Sequence, residues 1–172
     1  VQYNLNKADI IFSTSEVMKK QVNRLVDKKV IVTPFGVDIK TFRPIDGIKS
    51  KNKIVIGIIK TLKKEYGIDY LIRAFKLVTL KNPGVNLELH IAGKGNAEIK
   101  LRKLSKELKI DKQVVFLGYL NQKQVITALN SFDLAVFPSV GTESFGVAAV
   151  EAQACGVPVI VSNVGGLPEA TS

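Results

Sequence analysis

From residue 53 onwards, short apolar runs alternate with longer segments that are apolar on one helical face only. The apolar runs have the length of buried strands and predict strands at 53–59, 86–92, 113–116, 134–137 and 158–161. The amphipathic segments predict helices at 68–80, 97–108, 122–131 and 145–154. Continuous apolar strands that alternate with helices favour a Rossmann-like α/β fold, a parallel sheet with helices on both faces. Ligands bind such sheets at the carboxyl ends of the strands.

Residues 1–33 predict a smaller unit of the same kind. Residues 8–13 predict a short buried strand, and residues 28–33 predict a second one. Between them, Thr14 or Ser15 can cap a helix that runs to about Val26. A single β-α-β unit has too few strands to form a domain of its own. Residues 34–44 are rich in turn formers and lack periodicity, which predicts a loop between the two parts.

The composition is typical of a globular protein. The chain has 172 residues, of which 46% are apolar, and this is enough for one sizeable domain. No apolar run approaches the roughly 20 residues that a membrane span needs, and no secretory start is visible. The sequence begins at Val1, so we expect upstream residues to be missing.

Cysteine and histidine each occur once in the sequence. A single cysteine, Cys155, excludes a disulfide framework and is compatible with a reducing compartment. A catalytic thiol would need a histidine partner, but His90 lies within an apolar alternation and is expected to be a core residue. We therefore expect Cys155 to be a small residue packed at the end of a helix.

The net charge of +10 favours anionic partners such as sugar nucleotides, phospholipid head groups or nucleic acid. Nucleic acid is the weakest of the three, because the basic residues are spread over several helices and no aromatic platform accompanies them. One predicted helix has a basic surface, formed by Lys100, Arg102, Lys103, Lys106 and Lys109. A solvated helix face is the simpler interpretation of this surface.

The candidate chemistry is concentrated in residues 138–158. Glu143 stands at the start of the predicted helix 145–154, and Glu151 follows eight positions later. The N–H groups at a helix start favour a phosphate, so the amides of Phe145, Gly146 and Val147 are candidate pyrophosphate ligands. At about 1.5 Å per residue, the two carboxylates would lie roughly 12 Å apart and could hold hydroxyls at opposite ends of a nucleotide sugar. A helix-start charge and a solvated helix face remain the ordinary alternatives for these two glutamates.

The motifs of this region resemble those of a known family. They are Glu-x7-Glu with Ser-Phe-Gly after the first glutamate, Glu-Ala-x-Ala-Cys-Gly-x-Pro-Val at 151–159, and Val-Gly-Gly-Leu-Pro-Glu at 164–169. Together they resemble the signature of the retaining glycosyltransferases of group 1, which have the two-domain GT-B fold. The resemblance implies a cytoplasmic enzyme, working in some cases at the inner membrane face, that moves a sugar from a UDP- or GDP-type donor to a glycan or lipid-linked hydroxyl acceptor. It also implies no cofactor and no catalytic metal, and it makes a peripheral contact with an anionic membrane a further expectation. We expect no nucleic-acid partner, because the basic residues are scattered.

The same resemblance divides the chain. Residues 1–33 resemble the tail of an N-terminal, acceptor-binding domain, and residues 34–52 resemble the interdomain linker, with Gly36-Val37-Asp38 followed by Phe42-Arg43-Pro44. Residues 53–172 resemble the donor-binding domain, the C-terminal half of a GT-B fold, and they end in a loop. We therefore expect a fragment truncated at both ends, which binds the donor weakly and transfers nothing alone.

The resemblance also implies roles for individual residues. Glu143 would contact the transferred sugar and stabilise its developing charge, and Glu151 would bind the ribose hydroxyls. The turn formed by Ser144, Phe145, Gly146 and Val147 would hold the pyrophosphate, with Gly146 allowing the backbone to close on it. Gly93 would lie near the donor, in the turn after its strand. The backbone near Gly118 and Leu120 would grip the nucleobase.

The loop after the strand 53–59 departs from the family pattern, which is Gly-Arg-Leu followed by Lys-Gly. Thr61 stands at the arginine position and Tyr66 at the lysine position, so both cations that would neutralise the pyrophosphate are absent from their usual places. Lys60 is the favoured replacement, and Lys63 and Lys64 of the same loop are the alternatives. Solvated loop charges remain open as the ordinary interpretation.

Two other interpretations remain open. The first is another enzyme with a GT-B fold, either a sugar-nucleotide epimerase or an α-glucan phosphorylase. The second is a non-catalytic module that binds nucleotide sugars. The Ser-Phe-Gly and Ala-Cys-Gly-x-Pro motifs fit group 1 better than the other GT-B enzymes.

Overall fold

The computed structural model describes residues 1–141 and 143–171. The strands are β1 Ile11–Ser13, β2 Val30–Val32, β3 Ile54–Ile59, β4 Leu87–Ala92, β5 Val114–Gly118, β6 Leu134–Phe137 and β7 Val159–Val161. The α-helices are α1 Gln2–Lys7, α2 Glu16–Asn23, α3 Ile68–Lys81, α4 Glu98–Glu107, α5 Gln122–Ser131, α6 Val147–Ala154 and α7 Leu167–Ala170. A 3₁₀ turn, Lys64–Tyr66, precedes α3.

The larger sheet has five parallel strands in the order β5-β4-β3-β6-β7. The chain adds β4 and β5 outward from one side of β3. It then returns to the other side of β3, where it adds β6 and β7 outward. Helices α3 and α4 pack on each other, as do α5 and α6, which is the pairing expected when the helices cover both faces. The predicted Rossmann-like α/β fold is therefore confirmed.

The core lies between the sheet and its helices. Leu89 and Ile91 of β4 are completely buried, as the continuous apolar pattern of a covered parallel strand requires. Ile72 and Phe75 of α3 and Phe132 after α5 close the core from the helical layers, each at most 2% exposed.

The predicted helices are present, but some of their ends differ: α2 ends at Asn23 and not near Val26, and α4 begins at Glu98, one residue later than expected. Helix α6 starts at Val147 and not at 145, because Gly146 has a left-handed backbone with φ +106° and cannot belong to the helix. Asn121 and Gln124 form a capping box at the start of α5. The short helices α1 and α7 and the 3₁₀ turn carry too few residues for a periodic pattern and were not predicted.

Residues 1–33 form the predicted β-α-β unit, with β1 parallel to β2 and Ser15 capping α2. Its own core is small and centres on Ile11, Val26 and Val30. The assignment of this unit to an acceptor-binding domain, with 34–52 as the linker and 53–172 as the donor-binding domain, stays a prediction.

Buried Asn130 of α5 ties the loop after β2 to the larger domain. Its side chain accepts a hydrogen bond from the N–H of Ile45 at 2.7 Å and donates to the carbonyl of Arg43 at 3.1 Å. A buried amide that loses such partners costs about 1–3 kcal/mol, so this side chain fixes the path of the loop at Arg43 and Ile45.

Candidate functional site

The strand order reverses between β3 and β6, which are neighbours in the sheet but far apart in sequence. In open α/β sheets the crevice at such a reversal, outside the carboxyl ends of the strands, is where ligands bind. Lys60 directly follows β3, and the segment after β6 leads to Glu143. The topology therefore places a cation and a carboxylate from distant parts of the sequence at one crevice.

Lys60 and Glu143 form an ion pair, with 2.7 Å between Nζ and Oε2. Both side chains are largely shielded from water, at 18% and 11% exposed, so the pair is screened less than a surface ion pair. The hydroxyl of Ser139 donates to the same carboxylate oxygen at 3.2 Å, and Lys60 Nζ lies 4.5 Å from the centre of the Tyr66 ring. Tyr66, which stands at the usual lysine position, thus helps to hold the lysine beside it through a cation–π contact.

Two glycines of the segment 164–169 hold the backbone of Glu143. Gly166 donates its N–H to the carbonyl of Glu143 at 2.9 Å. A Cβ at Gly165 would overlap that same carbonyl, and a Cβ at Gly166 would overlap the carbonyl of Ser144. The Val-Gly-Gly-Leu-Pro-Glu motif therefore positions Glu143, a role that its sequence alone did not indicate.

The start of α6 offers free N–H groups beside this ion pair. Among the described residues, none accepts a hydrogen bond from the N–H of Phe145, Gly146 or Val147. The helix macrodipole adds partial positive charge at the same place, so the position favours an anion. The ring of Phe145 is buried and packs edge-on against Phe35 with 5.9 Å between ring centres, while Ser144 is exposed.

Gly146 is a glycine for two structural reasons, and its expected role of letting the backbone close on a ligand stays a prediction. Its left-handed backbone lets the chain turn into α6, and a Cβ there would lie 2.5 Å from Cδ2 of Leu167. The residue is needed for the turn and for contact with the segment after β7, which is sufficient reason for a glycine without a ligand.

Three of the predicted residues line one cavity of about 240 Å³ at the carboxyl ends of β3 to β5. They are Lys60, Gly93 and Leu120. Gly118 stands behind this cavity, where its carbonyl accepts a hydrogen bond from the N–H of Gly93 at 2.7 Å. The cavity thus joins the Lys60 ion pair to the turns after β4 and β5.

Lys63 and Lys64 do not share that cavity. They line a separate cleft between α3 and α4, and this placement favours Lys60 over these two lysines as the replacement for the missing cations. The 3₁₀ turn at Lys64–Tyr66 explains the separation, since it directs Tyr66 toward Lys60 and the two lysines to the other side.

Glu151 lies one turn inside α6, and burial raises its pKa above the usual range of a glutamate. Within 1–141 and 143–171, its carboxylate has neither a hydrogen bond nor an ion pair. The expected distance of about 12 Å between Glu143 and Glu151 assumed a helical rise of about 1.5 Å per residue between them. That assumption is wrong, because Glu143 precedes the helix. A half-buried carboxylate without a partner is costly and is suited to accept hydrogen bonds from a ligand.

Glu151→Gln is expected to stabilise the ligand-free chain at neutral pH. The raised pKa means that the unfolded chain releases the proton more readily than the folded one, so Glu151 costs stability as the pH rises above the usual glutamate range. Glutamine cannot ionise, and thermal unfolding at pH 7 should therefore show a higher Tm for the variant. Near pH 4, where the acid is largely protonated in both states, the difference should vanish.

The exposed Glu107 of α4 offers a matched control, because Glu107→Gln removes a carboxylate that faces water. This control should leave the Tm nearly unchanged at both pH values. A Glu151→Gln variant less stable than the parent at pH 7 would show that the carboxylate has a stabilising partner.

Neither His90 nor Cys155 belongs to this crevice. His90 Nε2 lies 2.8 Å from Oε2 of Glu88 and its ring packs on Phe132, and Cys155 is buried at the end of α6, so both are packed as expected. Among the described residues, no group of three or more histidine, cysteine, aspartate or glutamate side chains could hold a metal ion. No helix in the described ranges is long and apolar enough to cross a membrane.

Comparison with known proteins gives relatives across nearly the whole chain. An uncharacterized glycosyltransferase of Methanocaldococcus jannaschii, MJ1607, is 36% identical over 92% of this chain and 43% of its own length. A D-inositol 3-phosphate glycosyltransferase of Mycolicibacterium smegmatis is 35% identical over 99% of this chain and 41% of its own length. The chain thus spans less than half the length of these relatives.

The fold has close counterparts among solved structures. Anabaena HepE, crystallised in complex with UDP and glucose, superposes with a TM-score of 0.82 at 21% identity over 98% of this chain and 50% of that one. At this identity the likeness shows the fold alone, and it agrees with the predicted C-terminal half of a GT-B fold. The family model described as glycosyl transferases group 1 matches residues 38–172. With that match and the two relatives at 36% and 35% identity, the chain belongs to the group 1 glycosyl transferases.

Proposed function

We propose that this chain is the donor-binding part of a retaining glycosyltransferase that moves a sugar from a nucleoside diphosphate to a hydroxyl of a glycan or lipid-linked acceptor. The observation that carries the proposal is the Lys60–Glu143 ion pair at the sheet's reversal, beside the free N–H groups at the start of α6. An anion site and a shielded carboxylate stand next to each other there, as a diphosphate and its attached sugar require.

Lys60 replaces the two missing cations in this proposal. An ammonium group has three donors, so Lys60 can bond Glu143 and a phosphate oxygen at the same time. When the bond between the sugar and the diphosphate breaks, negative charge grows on the leaving phosphate. Donors fixed in advance at that position, here Lys60 and the N–H groups of Phe145, Gly146 and Val147, lower the barrier.

The two glutamates bind the two ends of the donor. Glu143, held by Ser139 and Gly166, takes the transferred sugar, where its negative charge stabilises the positive charge that develops on the ring. Glu151 takes the ribose hydroxyls, which would supply the partners that its carboxylate lacks among the described residues. The nucleobase then enters the cavity of Gly93 and Leu120, with the backbone near Gly118 behind it.

The donor is a UDP- or GDP-sugar, and no cofactor takes part. The UDP and glucose named for HepE support a uridine donor at the level of the fold. The chain spans less than half the length of its relatives, and in this proposal it holds the donor only and transfers nothing alone. The reaction takes place in the cytoplasm, where sugar nucleotides are available.

A thermal-shift screen of this chain against UDP-glucose, GDP-mannose and ADP-glucose tests the proposal. A ligand at 100 times its Kd stabilises the folded state by about 2.7 kcal/mol, so at least one nucleotide sugar should raise the Tm, and its free diphosphate should do so as well. Lys60→Met should lose most of the shift.

Lys63→Met is the matched control, since Lys63 is a neighbouring lysine outside the cavity. It should keep the full shift. If none of the sugar nucleotides and diphosphates changes the Tm of the parent chain, the crevice is not a donor site.

A further inference from the structure

A cleft of about 500 Å³ lies between α3 and α4, outside the proposed donor site. Four cationic side chains and two acidic ones line it: Lys63, Lys64, Arg73, Lys100, Asp69 and Glu107. One of the acids, Glu107, is already partly neutralised by Lys103 at 3.7 Å. The cleft therefore has a surplus of positive charge that the proposed function does not use.

The cations of the cleft are available to a ligand. Among the described residues, Lys64, Arg73 and Lys100 form no ion pair, and the one pair of Lys63, with Glu65 at 3.8 Å, is exposed. The floor between them is apolar and consists of Ile68, Leu101 and Leu104. Such a site fits a phosphate group that is attached to an apolar body.

Large apolar side chains of α3 and α4 are exposed to water around the cleft. Tyr70 and Leu77 of α3 are 58% and 61% exposed, and Ile99 of α4 is 83% exposed. Lys103 and Lys106 of α4 lie among them on the exposed surface. A free phosphate compound would need only the cleft, whereas a lipid surface would also use the exposed apolar and basic side chains around it.

We propose that the α3–α4 face docks on an anionic bilayer, with the phosphate of one phospholipid head group held in the cleft by Lys63, Lys64, Arg73 and Lys100. Ile99, Leu77 and Tyr70 then enter the head-group region, while Lys103 and Lys106 contact neighbouring lipids. The loop 61–67 joins this face to the Lys60 crevice, so a docked chain holds the crevice at a fixed height above the bilayer. The proposal does not depend on which donor the crevice binds.

Co-sedimentation of this chain with vesicles tests the docking. Vesicles of phosphatidylcholine with phosphatidylglycerol should bind the chain, and vesicles of phosphatidylcholine alone should bind it at least tenfold more weakly. Each basic residue near an anionic surface contributes about 1 kcal/mol, or roughly fivefold. The double variant Lys64→Glu, Lys100→Glu should therefore lose at least tenfold in partitioning, and Ile99→Ser should lose severalfold without a change in charge.

The double variant Lys40→Glu, Lys51→Glu separates this face from the net charge of the chain. Both residues are exposed and neither lines the cleft, so the same change in charge should alter partitioning by less than twofold. An equal loss in the two double variants would overturn the proposal, as would the absence of binding to the anionic vesicles. Circular dichroism confirms that each variant is folded before it is compared.

Glycerol 3-phosphate distinguishes a lipid from a soluble phosphate compound. If it raises the Tm of the chain through Lys64 and Lys100 while vesicles do not bind, the cleft is a site for a soluble ligand and the docking proposal fails. If vesicles bind and millimolar glycerol 3-phosphate leaves both the Tm and the partitioning unchanged, the lipid surface is the partner.

Discussion

Lys60→Met is expected to lower kcat for sugar transfer by about 10²-fold to 10³-fold in the full-length protein, the usual effect of removing one fixed donor from a developing charge. Methionine keeps much of the length of the lysine side chain but has no ammonium group. The variant therefore loses the cation beside the leaving phosphate and, among the residues that the structure describes, leaves the shielded Glu143 carboxylate with Ser139 as its remaining side-chain partner. Initial rates with the donor found in the thermal-shift screen measure the effect.

The partner of the ion pair gives the decisive control. Glu143→Gln should lower kcat by a comparable factor, and the double variant should lose much less than the product of the two single losses, because the residues are in contact. Lys60→Arg should recover part of the rate, and Lys51→Met, at an exposed lysine that lines neither the crevice nor the α3–α4 cleft, should behave as the parent. Losses that multiply in the double variant would mean that Lys60 and Glu143 act independently.

Much of the fold could be predicted from the local pattern of apolar and polar residues alone. Apolar strands such as β4 are buried on both faces, and that burial leaves a continuous apolar run in the sequence. The cap of α5 was equally local, since Asn121 and Gln124 are three residues apart. Features of this kind need no knowledge of which strands are neighbours.

The ion pair of the candidate site could be predicted only in part. The motifs singled out Glu143, and the missing family cations drew attention to Lys60, but 83 residues separate the two. Their contact depends on β3 and β6 lying side by side, which is a property of strand order and not of either segment. Lys60 was favoured from the sequence, but Lys63 and Lys64 stayed open as alternatives, because the 3₁₀ turn that separates them from Lys60 has no periodic signal.

The second glycine motif shows a further limit of sequence reasoning. Gly165 and Gly166 carry no side chain that could suggest chemistry, and their task is to allow the backbone of Glu143 and Ser144 to come close. Glu169 of the same motif accepts hydrogen bonds from the N–H groups of Glu16 and Val17 at 2.7 and 3.0 Å. This segment therefore connects Glu143 to the β-α-β unit at the start of the chain.

Gly165→Ala is expected to destabilise the chain by about 2–4 kcal/mol and to abolish the donor-induced thermal shift. A left-handed backbone costs an L-residue roughly 1–2 kcal/mol, and Gly165 has φ +57°. The new Cβ would also overlap the carbonyl of Glu143, a backbone atom that cannot rotate away. The segment after β6 or the segment after β7 must then move, and this displaces Glu143 from Lys60. For a domain of this size the loss corresponds to a Tm lower by about 4–16 °C.

Gly84→Ala is the matched control, because that glycine has nothing within 4 Å of its Cβ position and no left-handed backbone. The control should keep both the stability and the donor response. Comparing the two variants therefore separates the general effect of replacing a glycine by alanine from the effect of the close approach at Glu143. Urea unfolding measures the free energy, and the thermal shift measures the site. A Gly165→Ala chain with parental stability and an unchanged donor response would show that Glu143 keeps its position without this contact, and the role assigned to the motif would then be wrong.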